Sequence, residues 1–400
     1  MSDNCVCLAD FEEQCEKILD KNAWDYYRSG ADSEVTLRRN RTSFSKYLLR
    51  PRMLQGVGMV SLKTTLLGHT VASPVGMAPV GYQALAHPDG ELATVRVNRK
   101  RNGCMILSTM SNHSLEDVMQ ENQSCESLPN ETSPGEVRTA PLLWFQLYVC
   151  KEPSFTEQLL ERAYYSGYKA VVVTIDTPMI GKRRDDIRNS FKLPRHLRIA
   201  NLDSLDFSKF GLDKNVVNAH KVPTDGGSSL ELVSSKILNE DLTWDDIAWL
   251  KAASKLPIIL KGVLTAEDAK LAVKSGASAI IVSNHGGRQL DYAPATIEVL
   301  SEIVSAVNGE IEVYLDGGIR EGTDVIKALA IGAKAVFVGR PIVWGLSCEG
   351  EKGLSKVFEI LDAELKLSLA LCGVKDVNEL NRSHIANIGC DCDSKLSNKL

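Results

Sequence analysis

Several features that would place this 400-residue chain in other protein classes are missing from it. No apolar run is long enough to cross a bilayer, and the N-terminus lacks the basic and then apolar order of a secretion signal, so we expect no membrane span. The net charge of −5 argues against nucleic acid as the main partner. No Gly-x-Gly-x-x-Gly motif opens a helix after a strand, which argues against a dinucleotide cofactor.

Cysteine motifs typical of zinc sites and redox sites are also missing. The ten cysteines are scattered without any Cys-x-x-Cys, although Cys5/Cys7 and Cys390/Cys392 form Cys-x-Cys pairs. A metal site built from both pairs is the alternative, but reduced thiols in an intracellular compartment are the expectation. We therefore expect no metal.

A repeated helix–strand unit is present. Residues 268–283 run from an acidic residue through a helical pattern to Gly276 and then into a β-branched strand, and residues 324–339 do the same through Gly332. Residues 167–174 repeat the second half of the unit. A helix that stops at Gly before a continuously apolar strand is typical of a parallel sheet covered by helices. The repeat favours an α/β barrel or a doubly wound sheet.

The number of candidate strands favours the barrel. Eight are predicted, and helical patterns separate most of them, which indicates a (β/α)8 TIM barrel. They are Pro74 to Ala78, Cys104 to Leu107, Leu143 to Leu147, Ala170 to Ile175, Pro257 to Leu260, Ala279 to Val282, Ile311 to Leu315 and Ala335 to Val338.

Polar or special residues follow all eight strands. Function lies at the carboxyl ends of the strands in such barrels, so these residues form the candidate site. They are Pro79 and Gly81; Ser108; Gln146 and Tyr148; Thr174 and Asp176; Lys261; Ser283, His285 and Arg288; Asp316, Gly317, Gly318 and Arg320; and Gly339 and Arg340.

The segment 283–291, after the sixth strand, has the most specific chemistry. His285 can accept a proton, while Arg288 can hold a carboxylate in its planar fork. Gly286 and Gly287 between them allow the backbone to approach a flat ligand closely. A lone His is more often structural, but here it lies among many other candidate residues.

The seventh and eighth strand ends resemble a phosphate site. Barrels commonly bind phosphate there, through glycine N–H groups and a helix N-terminus. Arg320 and Arg340 would add charge-assisted bonds. A phosphorylated cofactor and a phosphorylated substrate fit equally well. Lys261 in the same mouth could stabilise negative charge on a bound ring.

The remaining segments extend the barrel. We expect a single domain over residues 1–385, with the barrel at about 73–370, a helical stretch from Phe11 to Ser29 before it, and a tail at 386–400. About 195–235, after the fourth strand, is expected to be a mobile lid. Polar residues 120–141 predict a surface loop. The final Asn398-Lys399-Leu400 is a one-residue variant of the Ser-Lys-Leu peroxisomal signal, so the import receptor is an expected partner.

With these residues assembled, the chain resembles the FMN-dependent L-2-hydroxyacid oxidase family, which includes glycolate oxidase. Within it, the chain is most similar to the animal peroxisomal enzymes. The likeness runs from about Phe11 to Ile385. It is carried by Asp25-Tyr26-Tyr27-x-Ser29-Gly30-Ala31, Phe145-Gln146-Leu147-Tyr148, Thr174-x-Asp176-Thr177-Pro178, the segment Ser283 to Asp291, Asp316-Gly317-Gly318-x-Arg320 and Gly339 to Leu346.

The resemblance implies FMN at the barrel mouth, a 2-hydroxy acid and O2 as substrates, and a homotetramer or homo-octamer. His285 would be the base, oriented by Asp176, while Tyr148 and Tyr26 would contact the substrate. Arg183 and Arg288 would bind the substrate carboxylate. The residues implied to bind FMN are Pro79, Val80, Gly81, Ser108, Gln146, Thr174, Lys261, Ser283, Asp316, Gly317, Gly318, Arg320, Gly339 and Arg340.

Two departures from the family pattern leave the acceptor and the substrate open. Val80-Gly81 replaces the Thr-Ala of many members, which leaves an electron acceptor other than O2 as the alternative. Met110 replaces an aromatic residue of many glycolate-preferring members, so a longer 2-hydroxy acid is expected to fit. An isomerase or lyase acting on a phosphorylated substrate, and a non-catalytic barrel, are further alternatives.

Overall fold

The computed structural model describes residues 2–124, 141–224 and 226–388, apart from the side chains of Lys209 and Phe210. The polar insert predicted at 120–141 lies mostly outside these residues, as do Cys390, Cys392 and the C-terminal tripeptide. Among the helices in the described ranges, none combines the length and the hydropathy that a bilayer crossing needs.

Eight parallel strands close into one barrel, with the order β7-β8-β1-β2-β3-β4-β5-β6. The predicted TIM barrel is therefore confirmed. Val, Ile and Leu dominate the strands because both of their faces are buried. The strands are β1 (Val75–Met77), β2 (Cys104–Leu107), β3 (Leu142–Leu147), β4 (Val171–Thr174), β5 (Ile258–Val263), β6 (Ala279–Val282), β7 (Glu312–Asp316) and β8 (Ala335–Val338).

All eight strands coincide with predicted ones to within three residues at either end. The largest difference is at β5, which continues past Lys261 to Val263 through a bulge. Lys261 therefore lies inside the strand rather than at its end.

Helices cover the barrel and extend it at both termini. The internal repeat corresponds to the units α11–β6 and α13–β8. The helices are α1 (Leu8–Ile18), α2 (Lys21–Arg28), α3 (Val35–Thr42), α4 (Gly90–Arg101), α5 (Leu115–Gln123), α6 (Pro153–Ser166), α7 (Arg184–Arg188), α8 (Lys214–Val217), α9 (Ser229–Ile237), α10 (Trp244–Ala253), α11 (Ala266–Lys274), α12 (Thr296–Val307), α13 (Gly322–Ile331) and α14 (Arg340–Cys372).

The predicted N-terminal helical stretch is two helices. Asp20 divides them, because its carboxylate accepts hydrogen bonds from the backbone N–H groups of Asn22 and Ala23 and so caps α2. Helix α1 packs against α14 at the other end of the chain. Helix α14 itself changes direction at Glu349 and Gly350, whose backbone angles are not helical.

Aromatic rings fill the barrel interior. The rings of Trp144, Tyr314 and Phe337, from β3, β7 and β8, lie with centroids 5.5–5.8 Å apart, and all three side chains are buried. A two-stranded hairpin, Thr64–Leu66 with His69–Val71, adds Leu66 and Val71 to this cluster. The interior is thus a packed core, and open space remains only at the carboxyl ends of the strands.

The segment expected to be a lid, at about 195–235, is folded and packed against the barrel. Ile199, Leu202 and Leu205 are buried. The Asn201 side chain, which is fully buried, donates hydrogen bonds to the carbonyls of Ser108 and Thr109 just after β2. Helix α9 follows and forms one wall of the opening at the barrel mouth.

The C-terminal boundary lies beyond residue 385. Residues Ile385–Asn387 form a strand that pairs antiparallel with Tyr47–Leu49, near the N-terminus. Two residues assigned to the tail, 386 and 387, therefore belong to the folded unit.

A glycine in the β5 bulge makes room for the residue that follows β4. Gly262 has φ +118°, and a Cβ atom added there would lie 2.7 Å from the Cβ of Asp176. A side chain at position 262 would therefore suffer both backbone strain and a collision. The approach of β5 to Asp176 depends on this glycine.

We predict that Gly262→Ala lowers the free energy of unfolding by about 3 kcal/mol, since strain and overlap add. Gly309→Ala is the matched control, because Gly309 also has a positive φ, +78°, but nothing lies within 4 Å of its added Cβ. About 1 kcal/mol is expected for this control. Urea unfolding of both variants measures the difference, and equal losses would contradict the collision.

Candidate active site

A cavity of about 1280 Å³, including its opening to solvent, lies at the carboxyl ends of the strands. Every residue predicted for the site lines it, except Asp176 and Ser283. Asp176 lies behind His285, and the Ser283 hydroxyl accepts a hydrogen bond from the His285 backbone N–H at 3.1 Å. Ser283 thus shapes the loop that carries His285, and its contact with the cofactor stays a prediction.

A buried carboxylate orients His285. The Nδ1 atom of His285 lies 2.7 Å from Oδ1 of Asp176, and Nε2 lies 3.4 Å from the Tyr148 hydroxyl. Burial alone would raise the pKa of Asp176, but His285 and Lys261 outweigh it and lower that pKa to about 2. The ionised carboxylate can only accept, so Nδ1 carries the proton and Nε2 keeps its lone pair facing the cavity.

The imidazole is neutral at physiological pH. Burial lowers the pKa of His285 below its usual value, and Asp176 opposes this effect without cancelling it. Burial raises the pKa of Tyr148, so its hydroxyl remains a hydrogen-bond donor. The pair can therefore accept a proton at Nε2 and donate a hydrogen bond to a ligand oxygen beside it.

Two arginines line the cavity near these residues. Arg183 is largely buried at the start of α7, and Arg288 follows His285 by three residues. The Arg288 guanidinium lies over the Tyr26 ring, 4.9 Å from its centroid, and donates to the backbone carbonyls of Tyr26 and Ser29. Two cations at one end of a cavity are suited to a carboxylate.

Glycines and Arg320 form the other end of the cavity. Gly317 and Gly318 have φ +92° and +94°, and a Cβ at Gly318 would lie 2.0 Å from the carbonyl oxygen of Asn40. The glycine at 318 is therefore required by the packing of α3. The Nε atom of Arg320 is buried and has no hydrogen-bond partner among the described residues. Its Nη1 atom donates to the backbone carbonyl of Ile319 at 2.8 Å. A buried guanidinium group that keeps an unsatisfied N–H is costly unless an anion neutralises it.

Arg340 also bonds the protein backbone, while its predicted contact with the phosphate stays a prediction. It lines the cavity, but its three side-chain nitrogen atoms donate to the backbone carbonyls of Tyr27, Gly286 and Ser29, each at 2.9 Å. These bonds join α2 to the loop that carries His285.

A central section, formed by Ser108, Gln146 and Thr174, connects the two ends of the cavity. The Gln146 side-chain amide donates to the Thr174 hydroxyl at 3.0 Å, and the Ser108 hydroxyl donates to Gln146 Oε1 at 3.3 Å. The Lys261 ammonium group is buried, 3.6 Å from the Asp316 carboxylate and 4.0 Å from that of Asp176. A cation that is shared between two carboxylates at the bottom of a cavity can respond to negative charge on a ligand.

Several site residues were not predicted. The Thr177 hydroxyl donates to Asp176 Oδ1 at 2.9 Å, and the Gln289 amide donates to the Asp176 backbone carbonyl at 2.8 Å. Both residues occur in the motifs that carry the family resemblance, which was the available signal. Leu230, Val233 and Leu238 line the cavity from the segment around α9. Leu230 and Val233 lie within the segment predicted to be a lid, but none of the three was predicted as a site residue.

Comparison with known proteins identifies the family. The model of the FMN-dependent dehydrogenase family matches residues 15–387. The chain belongs to this family.

Individual relatives agree with that membership. The 2-hydroxyacid oxidase 1 of Mus musculus is 45% identical over 378 residues, which are 94% of this chain and 95% of that protein. A peroxisomal (S)-2-hydroxy-acid oxidase of Oryza sativa subsp. japonica is 44% identical over 97% of this chain and 98% of the relative. A solved mandelate oxidase with (S)-4-hydroxymandelic acid superposes with a TM-score of 0.84 at 36% identity, covering 94% of this chain and 98% of that one. The resemblance stated from the motifs is confirmed.

FMN is the cofactor of this family of dehydrogenases, and the cavity fits it. The Nε of Arg320 and the Oδ1 of Asp316 are buried without partners among the described residues, as expected of groups that face a polar ligand. We expect Arg320 and the glycine backbone to hold the phosphate, the section around Gln146 to hold the ring, and Lys261 to lie near it.

We predict that His285→Gln lowers the rate constant of flavin reduction by about 10³-fold, because a general base is removed. FMN content should be unchanged, since His285 is not at the phosphate end. Anaerobic stopped-flow absorbance measures the rate. His220→Gln is the control. His220 lies in the long segment between β4 and β5, and among the described residues its ring bonds the Leu197 carbonyl. A reduction rate in His285→Gln like that of the control would contradict the base role.

The pH dependence of kcat/KM is predicted from the same residue. His285 must be neutral to accept a proton, and burial lowers its pKa below the usual 6.5. As pH falls through that lowered pKa, the imidazole becomes charged and kcat/KM decreases. The acid limb should therefore lie below pH 6.5, with a plateau above it. An acid limb centred above pH 7 would indicate another group.

Proposed function

We propose that this protein oxidises an (S)-2-hydroxy acid to the 2-oxo acid and passes the electrons to O2, which gives hydrogen peroxide. The observation that carries the proposal is the geometry of His285: Nδ1 is bonded to the ionised Asp176, and Nε2 faces a cavity that Arg183 and Arg288 also line. The names of the oxidases similar to this chain support the same reaction.

Different residues bind the substrate, accept its proton and stabilise the charge that forms. Arg183 and Arg288 bind the carboxylate and so fix the orientation of the α carbon. The Tyr148 hydroxyl donates a hydrogen bond to the hydroxyl oxygen of the substrate. Nε2 of His285 accepts the proton that the substrate loses, and Asp176 stabilises the imidazolium that forms. Bound FMN supplies the two-electron acceptor for this oxidation. Lys261, buried beside the ring section, stabilises the negative charge that accompanies reduction.

The substrate is proposed to carry a side chain longer than that of glycolate. Leu230, Val233 and Leu238 on one wall, with Ile180 and Met110 nearby, give the cavity an apolar surface that is larger than a two-carbon acid needs. Met110 is also flexible, so it can adapt to an alkyl chain.

The lack of a side chain at Gly81 is relevant to which electron acceptor the reduced enzyme uses. A Cβ added at Gly81 would lie 3.2 Å from both the Cβ and the carbonyl oxygen of Met110, so the close packing of the two loops leaves the ring section without a side chain there. Electron transfer to an acceptor other than O2 is the second candidate function. One experiment, an anaerobic spectrum followed by exposure to air, distinguishes the two functions.

The test is an anaerobic visible spectrum of the FMN-loaded protein with glycolate, lactate and 2-hydroxyoctanoate in turn, followed by air. We expect bleaching by all three, fastest with 2-hydroxyoctanoate, and recovery with one peroxide per turnover. Slow recovery in air but fast recovery with a dye would favour the dehydrogenase. Absence of bleaching by every acid would contradict the proposal.

A variant sharpens the assignment of the substrate. Met110→Trp fills the apolar part of the cavity, so the ratio of kcat/KM for 2-hydroxyoctanoate to that for glycolate should fall at least about tenfold. An unchanged ratio would place the alkyl chain elsewhere.

Assembly and location complete the proposal. We propose a homotetramer or homo-octamer. Met53, Leu54 and Met59 are exposed in one loop, which is unusual for large apolar side chains unless a partner covers them. Analytical ultracentrifugation measures the mass of the assembly. Import into peroxisomes by the receptor is supported by the name of the rice relative. The tripeptide predicted to be the signal lies outside the described residues.

A further inference from the structure

A buried carboxylate near the substrate site has no role in the chemistry above. Asp186 lies in the first turn of α7 and is 3% exposed. Its Oδ2 atom is 3.9 Å from Nη1 of Arg183, and its Oδ1 atom has no hydrogen-bond partner among the described residues. Burying a charge in this way is costly unless it interacts with other charges.

The interaction with Arg183 is one of charge and not of hydrogen bonding. At 3.9 Å the two groups are beyond hydrogen-bond distance, and the Nε atom of Arg183 also has no partner within the described residues. Asp186 therefore does not lock the guanidinium group in one orientation. Burial raises the pKa of Asp186, while Arg183 and Arg288 oppose that effect and favour the ionised form. The ionised carboxylate supplies a negative charge in a site of low dielectric constant, where that charge acts strongly on its neighbours.

The same charge acts on the second arginine. Burial and the neighbouring Arg183 lower the pKa of Arg288 to about 10, and Asp186 acts in the opposite direction. Two cations and one carboxylate thus stand at this end of the cavity before any ligand arrives. A ligand carboxylate brings a second negative charge, which Asp186 repels.

Helix α7 is held in place independently of Asp186. Asp185 binds Arg28 of α2, and the Asn189 amide donates to Asp25 at 2.8 Å. A change at position 186 therefore alters the charge without releasing the helix.

We propose that Asp186 limits the affinity of the arginine pair for carboxylates, so that the 2-oxo acid product leaves readily. The inference rests on the proposed function, because it requires Arg183 and Arg288 to be the carboxylate site. Asp186 acts through Arg183 and touches no reacting atom.

The experiment titrates the oxidised, FMN-loaded enzyme with pyruvate by calorimetry. In Asp186→Asn, which keeps the shape and removes the charge, we expect the Kd to fall about tenfold. KM for lactate should fall with it, and the rate constant of flavin reduction at saturating lactate should change less than KM. Asp245→Asn is the charge control, because it removes one negative charge from an exposed position in the first turn of α10. Asp186→Ser replaces the Asn variant if that variant does not fold.

The outcomes separate this inference from the proposed function. Unchanged or weaker pyruvate binding in Asp186→Asn would overturn it, and so would equal tightening in Asp245→Asn, which would indicate a general effect of charge. Arg183→Met should weaken pyruvate binding strongly. If it does not, the carboxylate site itself is wrong; if it does while Asp186→Asn fails to tighten, only the role of Asp186 is rejected.

Discussion

The hydrogen bond between His285 Nδ1 and Asp176 is the interaction on which the site depends. It determines which imidazole nitrogen has the lone pair, and it joins the ends of β4 and β6, which are separated by β5 in the barrel. Much of the surrounding structure serves this bond. The Thr177 hydroxyl and the Gln289 amide hold Asp176 in place, and Gly262 leaves the space in which it lies.

The electrostatics of the site are a balance of buried charges. Asp176 and Asp316 flank Lys261, while Asp186 lies 3.9 Å from Arg183. Lys261 and Arg183 each have a carboxylate within about 4 Å, and Arg340 has three backbone carbonyls, which is how a protein tolerates charges in its interior. A ligand that adds charge at either end of the cavity must therefore disturb this balance, which makes affinity sensitive to single carboxylates.

The sequence predicts the barrel well and the site less completely. Short apolar runs locate all eight strands, because fully buried parallel strands have a continuous apolar signature, and most of the polar residues after them line the cavity. Arg340 illustrates what remains hidden. Its partners Tyr27 and Gly286 are distant in sequence, and neither composition nor periodicity indicates that a strand-end arginine bonds backbone carbonyls. Asp20, which divides the N-terminal helices, and Asp186 also escape notice. Asp20 acts through a local helix cap, and Asp186 matters only because folding buries it beside Arg183.

The bonds of Arg340 have a consequence for how the protein is made. Residues Tyr27 and Ser29 leave the ribosome early, whereas Arg340, which binds their carbonyls, follows after more than three hundred further residues. The second helix thus cannot reach its final position on a partly synthesised chain. The second helix and the loop that carries His285 are therefore joined only after residue 340 has been made, so the cavity is complete only when most of the polypeptide has been synthesised.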